Sequence, residues 1–154
     1  MRSMILALAV TATAAPLAAM PASASDKADV LAVVKQLAES QNKNDMKTFV
    51  AACASQAVIV DEFAPFVWQG ASACSDWWSA NDTNNKQIDS TNGVLAYGKP
   101  WHVTLDGDRA YVVLPAKFTD KEKGKKVVES AVWVVTLQKG SAGWSMTGSA
   151  WAGH

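Results

Sequence analysis

Ala57-Val58-Ile59-Val60-Asp61 is a run of β-branched residues closed by a carboxylate, and its neighbours on both sides decide the fold. The run predicts a strand. After it, Pro65 interrupts, and Phe66-Val67-Trp68 predicts a second short strand that Gly70 ends. Ala71 to about Ala80 then reads as a helix, with Cys74, Trp77 and Trp78 at i, i+3 and i+4 on one face. Asn81-Asp82-Thr83-Asn84-Asn85 is expected to end that helix.

Upstream, Asp26 to Lys43 predicts a helix. Val30, Val33, Val34, Leu37 and Ala38 recur at helical spacing and form one apolar stripe. Asp26 and Asp29 suit its first turn. Asn42-Lys43-Asn44-Asp45 breaks it, and Asn44 or Asp45 can cap a short second helix from Met46 to about Ala54, which carries Phe49, Val50 and Cys53.

Downstream, the chain reads as strand and turn. Ile88 to Tyr97 and Trp101 to Leu105 predict one long, interrupted strand. Asp106-Gly107 is a hairpin signal. Arg109 to Thr119 follows, with Ala110, Val112, Leu114, Ala116 and Phe118 on one face. Pro115 within it predicts an edge or a bulge. Past a turn near Gly124 come strands over Val127 to Leu137 and, after Gly140, Trp144 to Ala152. Three helices, the third after a strand pair, and then a meander of long strands predict an α+β fold. The expected form is a curved, mostly antiparallel sheet shaped as a cone, with the three N-terminal helices packed on it. Such a cone leaves a hollow suited to a ligand.

The first 24 residues read differently. Arg2 is followed by an apolar, small-residue stretch to about Ala19, and no charge occurs before Asp26. Ala22-Ser23-Ala24 is an A-x-A cleavage pattern. This is the pattern of a secretory signal peptide over residues 1–24. Thr11, Thr13 and Pro16 break the run short of the roughly 20 apolar residues a membrane span needs. No Cys at the cleavage site indicates a lipid anchor. The expectation is a periplasmic or secreted domain over residues 25–154 with no membrane attachment after cleavage.

Cleavage would leave 130 residues with one excess negative charge. That is one domain with room for a sizeable core. No basic patch points to nucleic acid, and Lys121 to Lys126, interleaved with Glu122 and Gly124, reads as a solvated loop. Two Cys and two distant His make no zinc pattern. No phosphate loop and no G-x-S-x-G elbow is present. No metal and no cofactor is expected. Cys53 and Cys74 are either bridged, closing a loop of about 20 residues at roughly 3 kcal/mol, or two buried thiols.

The order of elements and several local stretches resemble the nuclear transport factor 2-like superfamily, in particular its SnoaL-like and ketosteroid isomerase-like members. The stretches are Ala32-Val33-Val34-Lys35 leading to Asn44-Asp45, the Ala57–Asp61 run, Trp68-Gln69-Gly70 opening a helix, and Gly143-Trp144-Ser145-Met146-Thr147. The resemblance covers nearly all of residues 26–152. It implies an α+β cone that holds small organic ligands and often dimerises through its sheet. The isomerases of that family use an aspartate base on the first strand with a tyrosine and a protonated aspartic acid as oxyanion donors. The base position falls on Asp61. The tyrosine position falls on Leu37 and the acid position near Val132 or Trp133, so two of three roles are unmatched.

Asp61 is the leading catalytic candidate. In the hollow, desolvation would make it a usable base; otherwise it is a carboxylate satisfied at a strand end. His102 either pairs with it as a proton relay or is a surface histidine. Trp68, Trp77, Trp78, Trp101, Trp133 and Trp151 are candidate ligand-binding residues, read against ordinary core packing. Three functions remain open. The domain binds a small hydrophobic or aromatic molecule, or it is an isomerase or lyase with Asp61 as base, or it is a homodimeric interaction domain.

Overall fold

The computed structural model describes residues 22–154. The export segment expected at residues 1–24 lies outside the described residues, except that its last three open the first helix. Helices α1 (Ala22–Asn42) and α2 (Met46–Ala51) lead into strands β1 (Cys53–Val60) and β2 (Val67–Gly70), and helix α3 (Ala73–Gln87) follows. Strands β3 (Ser90–Tyr97), β4 (His102–Asp106), β5 (Arg109–Glu122), β6 (Lys125–Gly140) and β7 (Gly143–Gly153) complete the chain. The fold is α+β, with three helices against a curved, unclosed sheet in the order β2-β1-β7-β6-β5-β3, and β4 sharing the edge of β5 with β3. Every strand pair is antiparallel except β1 with β7, which is parallel.

The core forms where the stripe of α1 meets the inner face of the long strands. Val30, Val34, Leu37 and Ala38 are buried against that face, which presents Val112 and Leu114 from β5, Val135 and Leu137 from β6 and Met146 from β7. The alternation of buried and open positions along β5 from Arg109 to Lys117 is that of a sheet covered on one face. Each fully buried aliphatic side chain contributes roughly 1.5–3 kcal/mol. Asn42, ending α1, ties the helix to β3: its amide donates to the Leu95 carbonyl at 2.8 Å and accepts from the Leu95 N–H at 2.7 Å. Asp45 caps α2 by accepting from the Thr48 N–H at 3.0 Å.

Four expectations change. The third helix does not stop at the Asn-rich segment but runs to Gln87. Lys86 pairs with Asp82 one turn back at 2.6 Å, and the Thr83 hydroxyl bonds the Ser79 carbonyl. Asn81, Asn84 and Asn85 follow Trp77 at helical spacing and turn toward a cavity. Their low helix propensity yields to that placement.

Cys53 starts β1 instead of ending a helix, and it is bonded to Cys74 in the first turn of α3. The bridge staples the strand to the helix that packs on it.

The expected single strand over Ile88–Leu105 is two strands, both on the edge of β5. β3 pairs with residues from Ala116 to Glu122, and β4 with residues from Arg109 to Val113. Pro115 lies at the junction between them, neither at an outer edge nor in a bulge against β6. Its carbonyl accepts from the Gly98 N–H at 2.9 Å. Its missing N–H falls where no strand lies opposite, which is why the sheet tolerates it.

Candidate functional site

A cavity of about 150 Å³ lies between α3 and the inner face of the sheet. Asp61 follows directly on β1, at the turn toward β2. Its Oδ2 accepts from the Trp77 indole N–H at 2.8 Å and its Oδ1 from the Glu62 N–H at 2.8 Å. Burial pushes its pKa up; these two hydrogen bonds oppose the rise, and the nearby Glu129 charge adds to it.

Glu62 and Glu129 form a pair beside it. A Cβ on Gly153 would lie 2.7 Å from Glu62 Oε2 and 2.8 Å from Glu129 Oε1, so both carboxyls converge over this glycine at the end of β7. The Trp151 N–H donates to Glu129. Desolvation first, then the hydrogen bond and charge of Glu129 and the charge of Asp61, push the Glu62 carboxyl up to about 7. A carboxyl with a pKa near neutrality thus stands beside Asp61, a second carboxyl whose pKa is raised.

The long hairpin adds two more acids. Asp120 and Glu122 occupy the inward parity of β5, with Phe118 before them. Asp120 is only 5% exposed and accepts from the Ser90 hydroxyl. Five carboxylates thus line the cavity. No Lys, Arg or His lines it, and none of the five joins an ion pair among the described residues. Nor do any three Cys, His, Asp or Glu among the described residues converge as a metal site would.

The walls are aromatic. Trp77, Trp133 and Trp151 line the cavity with Phe49, Phe63 and Phe118. Each of the three indole N–H groups is already engaged, with Asp61, Ser149 and Glu129 respectively. Trp77 stacks on Phe49 with ring centroids 5.1 Å apart.

The other sequence-level candidates stand elsewhere. Trp68 is buried against Phe63 but does not line the cavity. Trp78 packs against Phe49 with ring centroids 5.2 Å apart and stands edge-on to Trp77, and it does not line the cavity. Trp101 is 57% exposed between β3 and β4. His102 is exposed on β4, opposite Val113, whereas the cavity uses β5 only from Phe118 onward. The Asp61–His102 relay is therefore not assembled, because β4 occupies the remote end of the β5 edge. Leu37, at the expected tyrosine position, is fully buried core. The carboxyl that β6 supplies is Glu129, on the same face as Trp133 and three to four residues before the expected position.

Sequence reasoning missed Glu62, Glu129, Asp120 and Glu122. A signal for three of them was present. Asp120 and Glu122 continue the parity of Ala116 and Phe118, and Glu129 shares the parity of Ala131 and Trp133. A carboxylate in phase with a buried face is a marker of a polar cavity.

No family model matches the sequence, and no curated protein matches it either. Solved structures do match in shape. Hexachlorocyclohexane dehydrochlorinase LinA-type3 from Novosphingobium barchaimii superposes with a TM-score of 0.74 at 8% identity, covering 86% of this chain and 88% of its own. A nuclear transport factor 2-like superfamily protein from Salmonella enterica superposes at 0.72 and 13% identity, covering 86% and 93%. A ketosteroid isomerase-like protein from Erwinia carotovora gives 0.67 at 14% identity, covering 83% and 95%. The fold is that of the nuclear transport factor 2-like superfamily.

Proposed function

We propose that this domain binds one small organic molecule in the cone, with the apolar body of the ligand against Trp77, Trp133 and Trp151. One observation carries the reading: a single cavity joins an aromatic wall to carboxylates held at defined positions. A few placed polar groups on an apolar wall are what small-molecule sites need for orientation and affinity. The test is native mass spectrometry of the protein purified from its own host. The expected result is a retained small molecule, released on denaturation. A protein that carries none, and binds no ring-sized probe in calorimetry, would overturn the reading.

A second reading is proton-transfer catalysis with Asp61 as base. The observation that favours it is that Asp61, a half-buried carboxyl with a raised pKa, stands beside Glu62, whose pKa is pushed up to about 7. Base and acid then stand side by side, as proton-transfer chemistry requires. Glu62–Glu129 supplies the hydrogen-bond donor that the resemblance alone left unmatched. Two proteins of the same fold carry names of reactions, a dehydrochlorinase and an isomerase-like protein, which supports chemistry in such a cone. Retention of turnover by Asp61→Asn on any identified substrate would exclude it.

We also propose that the domain works in the periplasm or outside the cell. The residues before Asp26 read as an export signal, and a Cys53–Cys74 bridge suits an oxidising compartment. A homodimer through the outer sheet face is proposed on the exposed Val58, Val60 and Tyr111 there. Sedimentation of the purified protein as a monomer would remove it.

A further inference from the structure

We propose that the ligand of the cone is an organic cation, a small aromatic or alkyl body bearing a protonated amine, with its ammonium held at Asp120 and Glu122. This inference rests on the small-molecule reading above and gives the ligand a charge.

The protein as a whole carries as many acidic as basic residues. The cavity does not share that balance: among the described residues it is lined by five acidic side chains and no basic one. Four acidic side chains besides Glu62 line it, and none of them has a basic partner among the described residues. An anionic ligand would be repelled there, and a neutral one would leave the charge unanswered.

Asp120 is the sharpest case. The residue is 95% buried, it lines the cavity, and only one of its carboxylate oxygens has a hydrogen-bond partner among the described residues, the Ser90 hydroxyl. The other oxygen accepts nothing from the described residues. A buried carboxylate without a counter-charge is costly unless something else supplies one. Glu122, two residues on and facing the same way, doubles the demand. Lys125 is its cross-strand partner but is exposed and makes no ion pair with it.

The aromatic wall serves the same ligand. Tryptophan faces attract ammonium groups as well as apolar bodies. With their N–H groups already bonded to the protein, Trp77, Trp133 and Trp151 have no donor left to offer an anion or a carbonyl. A metal ion does not meet the same description, because no three of the acids converge on one point among the described residues. A cavity of about 150 Å³ accommodates a benzene-sized body.

The test is titration calorimetry of the whole protein at pH 7.5 with three probes of one size: 2-phenylethylamine, 2-phenylethanol and 3-phenylpropionate. The expected order is amine tightest by at least about ten-fold (about 1.4 kcal/mol), alcohol next, and the anion weakest. Added salt should weaken the amine and leave the alcohol unchanged. Asp120→Asn and, separately, Glu122→Gln should each lower amine affinity by about ten-fold or more without changing that of the alcohol. Glu122 is partly exposed, so its variant tests the idea even where Asp120→Asn folds poorly. Alcohol or anion binding as tightly as the amine would overturn the charge assignment and leave the cone reading intact. Failure of all three probes would overturn both. An amine preference that survives both substitutions would overturn the placement at Asp120 and Glu122.

Discussion

The Trp77 indole N–H and the Asp61 carboxylate are 2.8 Å apart, and through that bond α3 and the end of β1 jointly fix the orientation of the acid. The bond favours the ionised form, while burial favours the neutral one, and burial wins. Trp77→Phe keeps the stack on Phe49 but removes the donor. The pKa of Asp61 should move further up, read by carboxyl carbon NMR. Stability should fall by about 1.5–3 kcal/mol above that pKa, the usual size of a hydrogen bond to a charged group, read by denaturant unfolding.

Glu129→Gln removes the charge that raises Glu62 while leaving an oxygen for the Trp151 N–H. The Glu62 pKa should drop from about 7 toward its ordinary value of 4.5. The same NMR titration reads this. An unchanged Glu62 would mean that burial alone holds it up.

The same pair sets a pH dependence of stability. A carboxyl whose pKa is raised on folding stabilises the folded state fully below its unfolded pKa, and that contribution is lost as pH rises through the folded value. For Glu62 the window runs from about 4.5 to about 7, and Asp61 acts with the same sign. Melting temperature should therefore decline between pH 5 and pH 8, and Glu62→Gln should flatten the decline. Asp26, Glu39 and Asp45 are lowered and act with the opposite sign in acid, so the comparison belongs at pH 5 and above.

Gly153→Ala separates geometry from fold. The new methyl would press on the ends of two flexible glutamates, not on backbone. Stability should change by less than about 0.5 kcal/mol, while the two carboxyls are driven apart and the Glu62 pKa falls. A large loss of stability would show that Gly153 answers to the backbone instead.

Replacing Cys53 and Cys74 with Ala should cost about 3 kcal/mol, from the loop entropy of a 21-residue separation. Denaturant unfolding with and without reductant measures it. The cavity should lose ligand affinity as well, because the bridge ties the strand that precedes Asp61 to the helix that carries Trp77.

Much of this architecture was legible in the sequence because it rests on period. The α1 stripe and the alternation along β5 each bury one face, and hydrophobic spacing reports that directly. Asp61 was legible because a carboxylate ending a β-branched run is conspicuous. The rest of the site was not, for physical reasons. Asn81, Asn84 and Asn85 have the composition of a helix stop, and only the cavity beyond them makes them a helix face. Glu62 and Glu129 are 67 residues apart in the chain and meet only because β7 lies between β1 and β6. For His102 the sequence leaves relay and surface histidine both open, because which stretch of β5 it pairs with is a matter of register, which local pattern does not report.

The parallel pairing of β1 with β7 also bears on when the protein becomes a protein. The last strand among the described residues is a central one, inserted between β1 and β6. Until the eleven residues of β7 leave the ribosome, the sheet is split and the pair Glu62–Glu129 has no floor beneath it. Contacts closed across so much sequence form late and slowly. Without β7 the sheet would fall into two separate parts, β2-β1 and β6-β5 with β3 and β4, so this one strand is what joins them.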